Sequence, residues 1–225
     1  MPAASPPSLI LFDLDGTLTD SGVGIANCIR YALDSFGIAH PDDATMRSHL
    51  GPPLVETFRD GYGLSDDDVE RAIAKYRERY HSVGLFENAV YDGIPEVLDA
   101  LSTSSATLAV ATSKPTYSAT KILEHFGLSG RFGFIGGAEL DGSRQHKADV
   151  IAHVLDAMAW SPETGPIVMV GDRGHDVRGA AVHGIPAIGA LWGYGDEAEL
   201  LEAGAIAVVE RAGGLPYALA PWVSC

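Results

Sequence analysis

The segment Ser8-Leu9-Ile10-Leu11-Phe12-Asp13-Leu14-Asp15-Gly16-Thr17 joins a short apolar run to an acidic turn. A continuous apolar run is typical of a strand that is buried on both faces, as in a parallel sheet. The Asp-x-Asp-Gly sequence that follows indicates a turn. We therefore predict a buried strand over residues 8–12, with Asp13 at its carboxyl end, where open α/β sheets bind ligands.

Similar apolar runs recur further along the chain and predict more strands. They lie at residues 106–111, 132–135 (ending at a Gly-Gly), 167–170, 186–191 and 205–209. Helical patterns, with apolar residues three and four apart, lie between them at 94–101, 118–126 and 147–158. This alternation, from about residue 93 onward, predicts an α/β fold with a doubly wound parallel sheet.

A helical segment interrupts the alternation near the N-terminus. Helices are predicted over residues 23–36 and 65–80, and Ser65-Asp66-Asp67-Asp68 fits a capping box at the start of the second one. Gly51-Pro52-Pro53 and Gly61-Tyr62-Gly63 indicate breaks between them. We predict two domains: an α/β core of residues 1–19 and 91–225, and an inserted α-helical domain of residues 20–90.

Two pairs of carboxylates are predicted to meet at the sheet edge. Asp13 and Asp15 follow the first strand, and Asp172 and Asp176 follow the strand at 167–170. Four converging acids are unfavourable without a cation, and Mg²⁺ prefers such oxygen ligands. Acids that cap a strand-end turn, or an Asp176 that is stabilised by a helix dipole, are the alternatives. His175 is interpreted as a surface or capping residue, with contact to the metal-site groups as the alternative.

Two further segments suit the binding of phosphate. Thr112-Ser113-Lys114-Pro115 follows the strand at 106–111, and its hydroxyl and amide groups can hold phosphate oxygens. An ordinary helix N-cap is the alternative. Lys147 is predicted to begin a helix, which is an unfavourable place for a cation unless acids or a phosphate lie nearby. A solvated lysine is the alternative, and Arg144 competes for the same role.

Taken in order, these motifs resemble those of the haloacid dehalogenase-like hydrolase superfamily. The motifs are FDLDGT at 12–17, Thr112, Lys147 and GDRGHD at 171–176, and the resemblance covers nearly the whole chain. It implies a Rossmann-like core and makes the helical insertion a cap domain. Stretches such as DGTLTDSGVGI and ATSKP are similar to the phosphoglycolate-phosphatase-like group, especially to its bacterial members described as 5'-nucleotidases.

Comparison within the superfamily favours a phosphatase. Dehalogenases and phosphonatases lack an acid at the position of Asp15. Members similar to β-phosphoglucomutase usually carry Glu-Asp where this chain has Gly171-Asp172. A phosphomutase of the same superfamily and a non-catalytic binding protein on this scaffold are the alternative functions.

The resemblance also implies a mechanism with Mg²⁺ as cofactor. Asp13 attacks phosphorus and forms an aspartyl-phosphate, while Asp15 protonates the leaving alcohol and then activates water. Mg²⁺ is held by Asp13, the main-chain carbonyl of Asp15 and Asp172, with Asp176 contributing from the outer coordination sphere. Closure of the cap is expected to exclude water.

The groups expected to bind the phosphoryl oxygens are two side chains and two amides. Thr112 and Lys147 are implied as catalytic residues that stabilise the transferred phosphoryl group, and the amides of Leu14 and Ser113 are expected to assist.

Charge and cysteine content limit the partners and the compartment. The 225-residue chain carries a net charge of -15, from 30 acidic and 15 basic residues, which disfavours a nucleic-acid polymer as partner. The resemblance implies a small phosphorylated metabolite or nucleotide as substrate. Cys28 and Cys225 could form one disulfide, but they fit a reduced protein better. Without a signal peptide or an apolar run of about 18 residues, we predict a cytoplasmic protein with no membrane partner, as a monomer or homodimer.

Overall fold

The computed structural model describes residues 7–51, 53–139 and 143–223. The chain divides into two compact units, one of Met1–Thr19 with Val90–Cys225 and the other of Asp20–Ala89. Cys225, the second cysteine considered above, lies outside the described residues, whereas Cys28 is buried.

Strands of the described residues form one large sheet and one small sheet. In chain order they are β1 (Ser8–Phe12), β2 (Thr19–Asp20), β3 (Ala89–Val90), β4 (Ala106–Pro115), β5 (Phe134–Ala138), β6 (Ile167–Gly171), β7 (Ala187–Ala190) and β8 (Ala207–Val209). Six of them form a parallel sheet in the order β5-β4-β1-β6-β7-β8. Strands β2 and β3 pair separately.

Helices follow the strands in the larger unit and fill the smaller one. In chain order they are α1 (Gly22–Asp34), α2 (Asp43–Ser48), α3 (Leu54–Tyr62), α4 (Asp66–Ser82), α5 (Ile94–Ser102), α6 (Thr116–His125), α7 (Lys147–Ala157), α8 (Gly174–Ala181), α9 (Glu197–Glu202) and α10 (Leu215–Ala218). Within residues 7–51, 53–139 and 143–223, no helix combines the length and the hydrophobicity that a membrane span requires.

Strand β1 is buried on both faces, as its apolar sequence predicts. Leu9 and Leu11 pack into a cluster with apolar side chains of α7, α8 and α9. Phe12 points to the opposite face, where its ring meets the ring of Phe132 edge to face at 6.3 Å. Helix α5, which α10 contacts, packs against β4. This arrangement of a parallel sheet flanked by helices confirms the predicted fold class.

Two strand ends differ from the prediction. Strand β5 does not end before its two glycines but continues through them, because β4 also continues to Pro115 and pairs with Ala138. Gly136 is required within β5, since a Cβ there would lie 2.4 Å from a methyl group of Val154. The pairing of β4 with β5 shifts register between Ala111 and Pro115.

The smaller unit is helical, as predicted. Helices α1 and α4 pack together, and the hydroxyl of Ser65 accepts a hydrogen bond from the amide of Asp68 at 3.3 Å, which confirms the predicted N-cap. Gly61 was predicted to interrupt the chain, but α3 runs through it and ends before Gly63, whose left-handed φ of 65° stops the helix.

Candidate active site

The two strands that precede the predicted acids are neighbours at the centre of the sheet. Strands β4 and β5 extend from one side of β1, and β6, β7 and β8 extend from the other. The switch point lies between β1 and β6, where doubly wound sheets open a crevice at their carboxyl ends. The amide of Asp13 donates to the carbonyl of Val170 at 2.9 Å, and Asp172 follows β6 directly.

Lys147 joins two of the acids. Its Nζ lies 2.7 Å from Oδ1 of Asp13, 2.7 Å from Oδ1 of Asp176 and 2.9 Å from the carbonyl oxygen of Ala111. The side chains of Lys147, Asp13 and Asp176 are 2%, 6% and 0% exposed. The ammonium group donates hydrogen bonds to Asp13 and Ala111 and forms an ion pair with Asp176, so the acids resolve the predicted conflict of a lysine at a helix start.

Burial and mutual repulsion raise the pKa values of the acids, whereas the nearby positive charges lower them. Burial raises the pKa of Asp13, and Lys147 offsets only part of this effect. Burial also raises the pKa of Asp172, well above its ordinary value, and the charges of Asp176 and Asp13 raise it further. For Asp176, the charges of Lys147 and His175 outweigh burial and lower the pKa. Burial opposes the charge on Lys147, but Asp13 and Asp176 together raise its pKa.

Asp172 is held against the Asp13–Thr17 turn. The hydroxyl of Thr17 donates to its Oδ1 at 3.2 Å, and the amide of Tyr194 donates to its Oδ2 at 2.8 Å. Gly16 has a φ of 87°, and a Cβ there would lie 2.1 Å from Oδ2 of Asp172. Only glycine allows this close approach of the turn to the carboxylate.

The segment after β7 is a part of the site that the sequence analysis missed. Nε1 of Trp192 donates to the carbonyl of Thr17 at 3.0 Å. A Cβ on Gly193 would lie 2.4 Å from Cβ of Asp172, and one on Gly195 would lie 2.1 Å from the carbonyl oxygen of Asp172. The signal that was available is the Gly-x-Gly sequence directly after a predicted strand, which indicates a close approach of backbone to a ligand-binding edge.

Asp15 has a partner that the sequence analysis quoted without assigning it a role. Nζ of Lys114 lies 2.9 Å from Oδ2 of Asp15, and the two side chains are 6% and 21% exposed. The other carboxylate oxygen, Oδ1, is buried and accepts no hydrogen bond within the described residues. The ion pair of Asp15 with Lys114 is therefore separate from the ion pairs of Lys147 with Asp13 and Asp176.

The groups predicted to bind phosphate lie at the ends of β1 and β4. Thr112 is buried, and its Oγ1 accepts a hydrogen bond from the amide of Lys114 at 3.2 Å, which leaves the hydroxyl proton to be donated elsewhere. Ser113 beside it is exposed. The side chain of Leu14 is buried, and its amide donates no hydrogen bond within the described residues.

Arg144 does not compete with Lys147 for Asp13. Its Nε donates to the carbonyl of Gly137 at 2.8 Å, and its Nη2 donates to Glu139 at 2.5 Å. The structure therefore brings Lys147 to Asp13 and directs the guanidinium of Arg144 to the end of β5.

Asp176 contacts both the start of α8 and Lys147. Its Oδ2 accepts a hydrogen bond from the amide of Arg173 at 3.0 Å and so closes the first turn of α8, while Oδ1 faces Lys147. Glu199 supports the same turn, because its Oε1 accepts from the amide of Gly174 at 2.7 Å and from Nε of Arg173 at 3.0 Å.

The donor set fits a hard divalent cation. Ligand atoms of Asp13, His175 and Asp176 all lie within 4.8 Å of one another. The raised pKa values of Asp13 and Asp172 indicate uncompensated negative charge, which a cation would relieve. His175 is 39% exposed, with Nε2 at 3.6 Å from Asp176, so it lies closer to the acids than a surface role implies. Its imidazole is a poorer ligand for Mg²⁺ than the carboxylates.

Comparison with known proteins identifies a matching family and several similar sequences. The model of a family described as Haloacid dehalogenase-like hydrolase matches residues 10–190. A 5'-nucleotidase from Pseudomonas aeruginosa is 46% identical over 191 residues, which cover 85% of this chain and 86% of that protein. Tyrosine-protein kinase PtkA from Mycobacterium tuberculosis is 45% identical over 213 residues, which cover 93% of this chain and 72% of the kinase.

More distant sequences and solved structures agree with these matches. A phosphoglycolate phosphatase from Aquifex aeolicus is 30% identical over 194 residues, which cover 83% of this chain and 85% of that protein. The crystal structure of a "predicted phosphatase" from Clostridium acetobutylicum has 39% identity and a TM-score of 0.89, and the match covers 96% of this chain and 100% of that one.

Proposed function

We propose a specific reaction for this chain, which belongs to the haloacid dehalogenase-like hydrolase family and is one of its phosphatases. The proposed reaction is hydrolysis of a small-molecule phosphate monoester with Mg²⁺, through an aspartyl-phosphate on Asp13. The observation that carries the proposal is the contact of buried Lys147 with both Asp13 and Asp176, beside Asp172, at the switch point of the sheet.

Asp13 is the proposed nucleophile. Lys147 donates to its Oδ1, which leaves Oδ2 to attack phosphorus in line with the leaving oxygen. The new bond joins Oδ2 to phosphorus as the bond from phosphorus to the alcohol oxygen breaks. The hydrogen bond to Oδ1 fixes the direction of Oδ2, and this orientation of the nucleophile is expected to increase the reaction rate.

Asp15 is the proposed acid and base. It gives its proton to the departing alkoxide and then takes a proton from the water that attacks the aspartyl-phosphate, which releases inorganic phosphate and restores Asp13. Its position two residues after Asp13, with Oδ1 unpartnered among the described residues, supports this role.

The remaining proposed groups hold the metal ion and the phosphoryl oxygens. Asp13, the main-chain carbonyl of Asp15, Asp172 and Asp176 are the proposed metal-binding set. Mg²⁺ there supplies positive charge that neutralises the phosphoryl group. The equatorial oxygens are proposed to accept hydrogen bonds from Thr112, Lys147 and the amides of Leu14 and Ser113.

The substrate and the setting of the enzyme belong to the same proposal. A nucleoside monophosphate or phosphoglycolate is the proposed substrate, because relatives are a 5'-nucleotidase and a phosphoglycolate phosphatase. The helical unit Asp20–Ala89 is proposed to act as a cap domain. A cytoplasmic location and a monomeric or homodimeric state remain predictions from the sequence.

The test of the chemistry is the variant Asp13→Asn. Hydrolysis of p-nitrophenyl phosphate in Mg²⁺ is expected to fall by roughly 10³-fold or more, because removal of a nucleophile leaves only binding and charge stabilisation. Asp60→Asn, at an exposed position of α3, is the control and is expected to retain activity. A folded Asp13→Asn protein with substantial activity, or wild-type activity that survives a chelator, would contradict the proposal.

A second candidate is transfer of the phosphoryl group to a protein hydroxyl. The 45% identity to Tyrosine-protein kinase PtkA favours it. Incubation with γ-³²P-ATP and a tyrosine-containing protein separates the two functions, since a kinase leaves label on tyrosine and a hydrolase of phosphate monoesters leaves none. The same experiments address the two alternatives from the sequence: a phosphomutase retains the phosphate on its substrate, and a non-catalytic protein turns over nothing.

A further inference from the structure

Lys114 is a second buried lysine in the site. Its side chain is 6% exposed, and its ammonium group lies 2.9 Å from Oδ2 of Asp15. Lysine is rarely buried to this degree unless it is paired, because removing an ammonium group from water is costly. Asp15 is more exposed, at 21%, so the ion pair reaches the more open side of the site.

The backbone around Lys114 is arranged to aim this side chain. The pairing of β4 with β5 shifts register between Ala111 and Pro115, and such irregularities redirect side chains next to active sites. Gly137 permits the arrangement, since a Cβ there would lie 2.4 Å from the carbonyl oxygen of Lys114 and 2.7 Å from the amide of Thr116. The amide of Lys114 is fixed on Oγ1 of Thr112 at 3.2 Å.

The two buried lysines contact different halves of the site. Lys147 contacts Asp13 and Asp176, the nucleophile and a metal-site acid of the proposed reaction. Lys114 contacts Asp15, which in that reaction approaches the oxygen of the leaving alcohol. Because Asp15 protonates the leaving oxygen in the proposed reaction, the ammonium group of Lys114 lies next to the place where the alcohol part of the substrate begins.

We propose that Lys114 binds an anionic substituent, a carboxylate or a second phosphate, on the alcohol part of the substrate. Preferred substrates are then phosphate esters of acidic alcohols, in contrast to esters of neutral alcohols such as nucleosides. This inference rests on the proposed phosphatase function and specifies its substrate class. A second anionic group would enter a site with four carboxylates, and the positive charge of Lys114, although it is paired with Asp15, offsets part of that repulsion.

Matched pairs of esters test this inference. 2-Phosphoglycolate is compared with 2-hydroxyethyl phosphate, and 3-phosphoglycerate with glycerol 3-phosphate, so that each pair differs only in a carboxylate replaced by CH₂OH. The wild-type protein is expected to prefer the acid of at least one pair by about tenfold or more in kcat/KM. Lys114→Gln is expected to remove most of that preference by lowering turnover of the acid roughly 30-fold, the effect of one lost charged hydrogen bond.

Two control variants isolate the charge. Lys114→Arg keeps a cation and is expected to retain part of the preference. Lys121→Gln, which changes an exposed lysine of α6 paired with Glu124, is expected to leave both pairs unchanged. The inference is overturned if the wild type shows no preference for either acid, or if Lys114→Gln lowers both members of each pair equally, as a purely structural ion pair with Asp15 would.

Failure of the proposed function gives a different result. If the wild-type protein hydrolyses none of these esters or p-nitrophenyl phosphate, the phosphatase proposal fails. The anion site is then decided by titration calorimetry with the same pairs. Tighter binding of an acid than of its neutral partner, lost in Lys114→Gln, supports it, and equal binding of both partners overturns it.

Discussion

Asp172 is held by Thr17 and Tyr194 in a position where its charge disfavours the folded state. Its pKa is raised well above the ordinary value, first by burial and then by Asp176 and Asp13. A carboxyl group whose pKa is raised on folding destabilises the protein when it is ionised, and that cost disappears as the pH falls through the raised pKa. The charge of Asp172 therefore lowers the free energy of unfolding of the metal-free protein, although the same charge suits the binding of a metal ion.

Asp172→Asn is expected to stabilise the metal-free protein at neutral pH. The amide can still accept from Tyr194 and face Thr17 while it removes the buried charge. Tm is expected to rise by about 3 °C or more, which corresponds to roughly 1 kcal/mol for a chain of this size. Calorimetry from neutral to acidic pH measures it, and the gain should shrink as Asp172 of the wild type becomes protonated. A lower Tm at neutral pH would contradict this account.

Several site residues could be predicted individually because their positions follow from element ends. Asp13 and Asp172 come directly after buried apolar runs, and Lys147 begins an amphipathic helix, so topology alone brings them to one edge. The contact between Lys114 and Asp15 could not be predicted, because it depends on a register shift within β4 that leaves no pattern in a single sequence.

At the scale of elements, the segment from Trp192 to Gly195 is a part of the site in its own right. It presents backbone, not side chains, to Asp172, since the amide of Tyr194 is the donor and the glycines on either side leave no room for a Cβ. The length of β7 and the course of the chain after it determine how closely this backbone segment lies to Asp172.

Gly193→Ala tests the contribution of this segment. The added Cβ would lie 2.3 Å from the carbonyl oxygen of Gly16 and 2.4 Å from Cβ of Asp172, so one of them must move. We expect at least about tenfold weaker Mg²⁺ binding, as measured by titration calorimetry, because mutation of groups that orient metal ligands typically costs 10- to 100-fold in metal affinity. Gly213→Ala, where a Cβ meets nothing within 4 Å, is the control and should bind Mg²⁺ normally.

In the smaller unit, an ion pair connects α4 to the segment that follows it. Nη1 and Nη2 of Arg79 donate to the two carboxylate oxygens of Glu87 at 2.5 and 2.9 Å. These hydrogen bonds lower the pKa of Glu87 below its ordinary value. A lowered carboxyl pKa stabilises the fold above the unfolded pKa, and this stability is lost as the pH falls through the folded pKa.

Glu87→Gln is expected to lower the free energy of unfolding by about 1 kcal/mol at pH 7. The difference from wild type should start to shrink below about pH 4.3, where glutamate in the unfolded chain takes up a proton. Urea unfolding over a pH series measures it. Glu124→Gln, which removes an exposed ion pair with Lys121, should change stability by less than about 0.5 kcal/mol. A pH-independent effect of Glu87→Gln would show that the pair acts without its charge.

The bounds of helices and strands were predicted correctly where hydrophobic periodicity determines them. They were predicted wrongly where a glycine lies inside an element. The helices α4 and α7 begin and end close to their predicted bounds because each has a continuous apolar stripe. The predicted strand end before Gly136 and the predicted break at Gly61 were wrong, since glycine is equally suited to a chain break and to a close contact within an element. A single sequence does not distinguish these two uses.

At the scale of the whole molecule, Mg²⁺ is expected to stabilise the protein. A ligand that binds only the folded state at about 100 times its Kd adds roughly 2.7 kcal/mol. We expect Tm to rise on addition of MgCl₂ and to return after a chelator. Because the chain carries a net charge of -15, NaCl at matched ionic strength is the control for general screening. Asp172→Asn should lose most of the Mg²⁺-specific rise, and an equal rise in NaCl would count against a metal site.

The strand order also has a consequence for synthesis on the ribosome. Strand β1 emerges before both of its partners, which are Ala106–Val110 on one side and Ile167–Val170 on the other. The helices of Asp20–Ala89 make mostly local contacts and can form early, whereas β1 must wait for pairing across long sequence separations, which is slow. Nascent chains that end before β6 therefore leave one edge of the apolar β1 unpaired, and we expect them to aggregate more readily than the full chain.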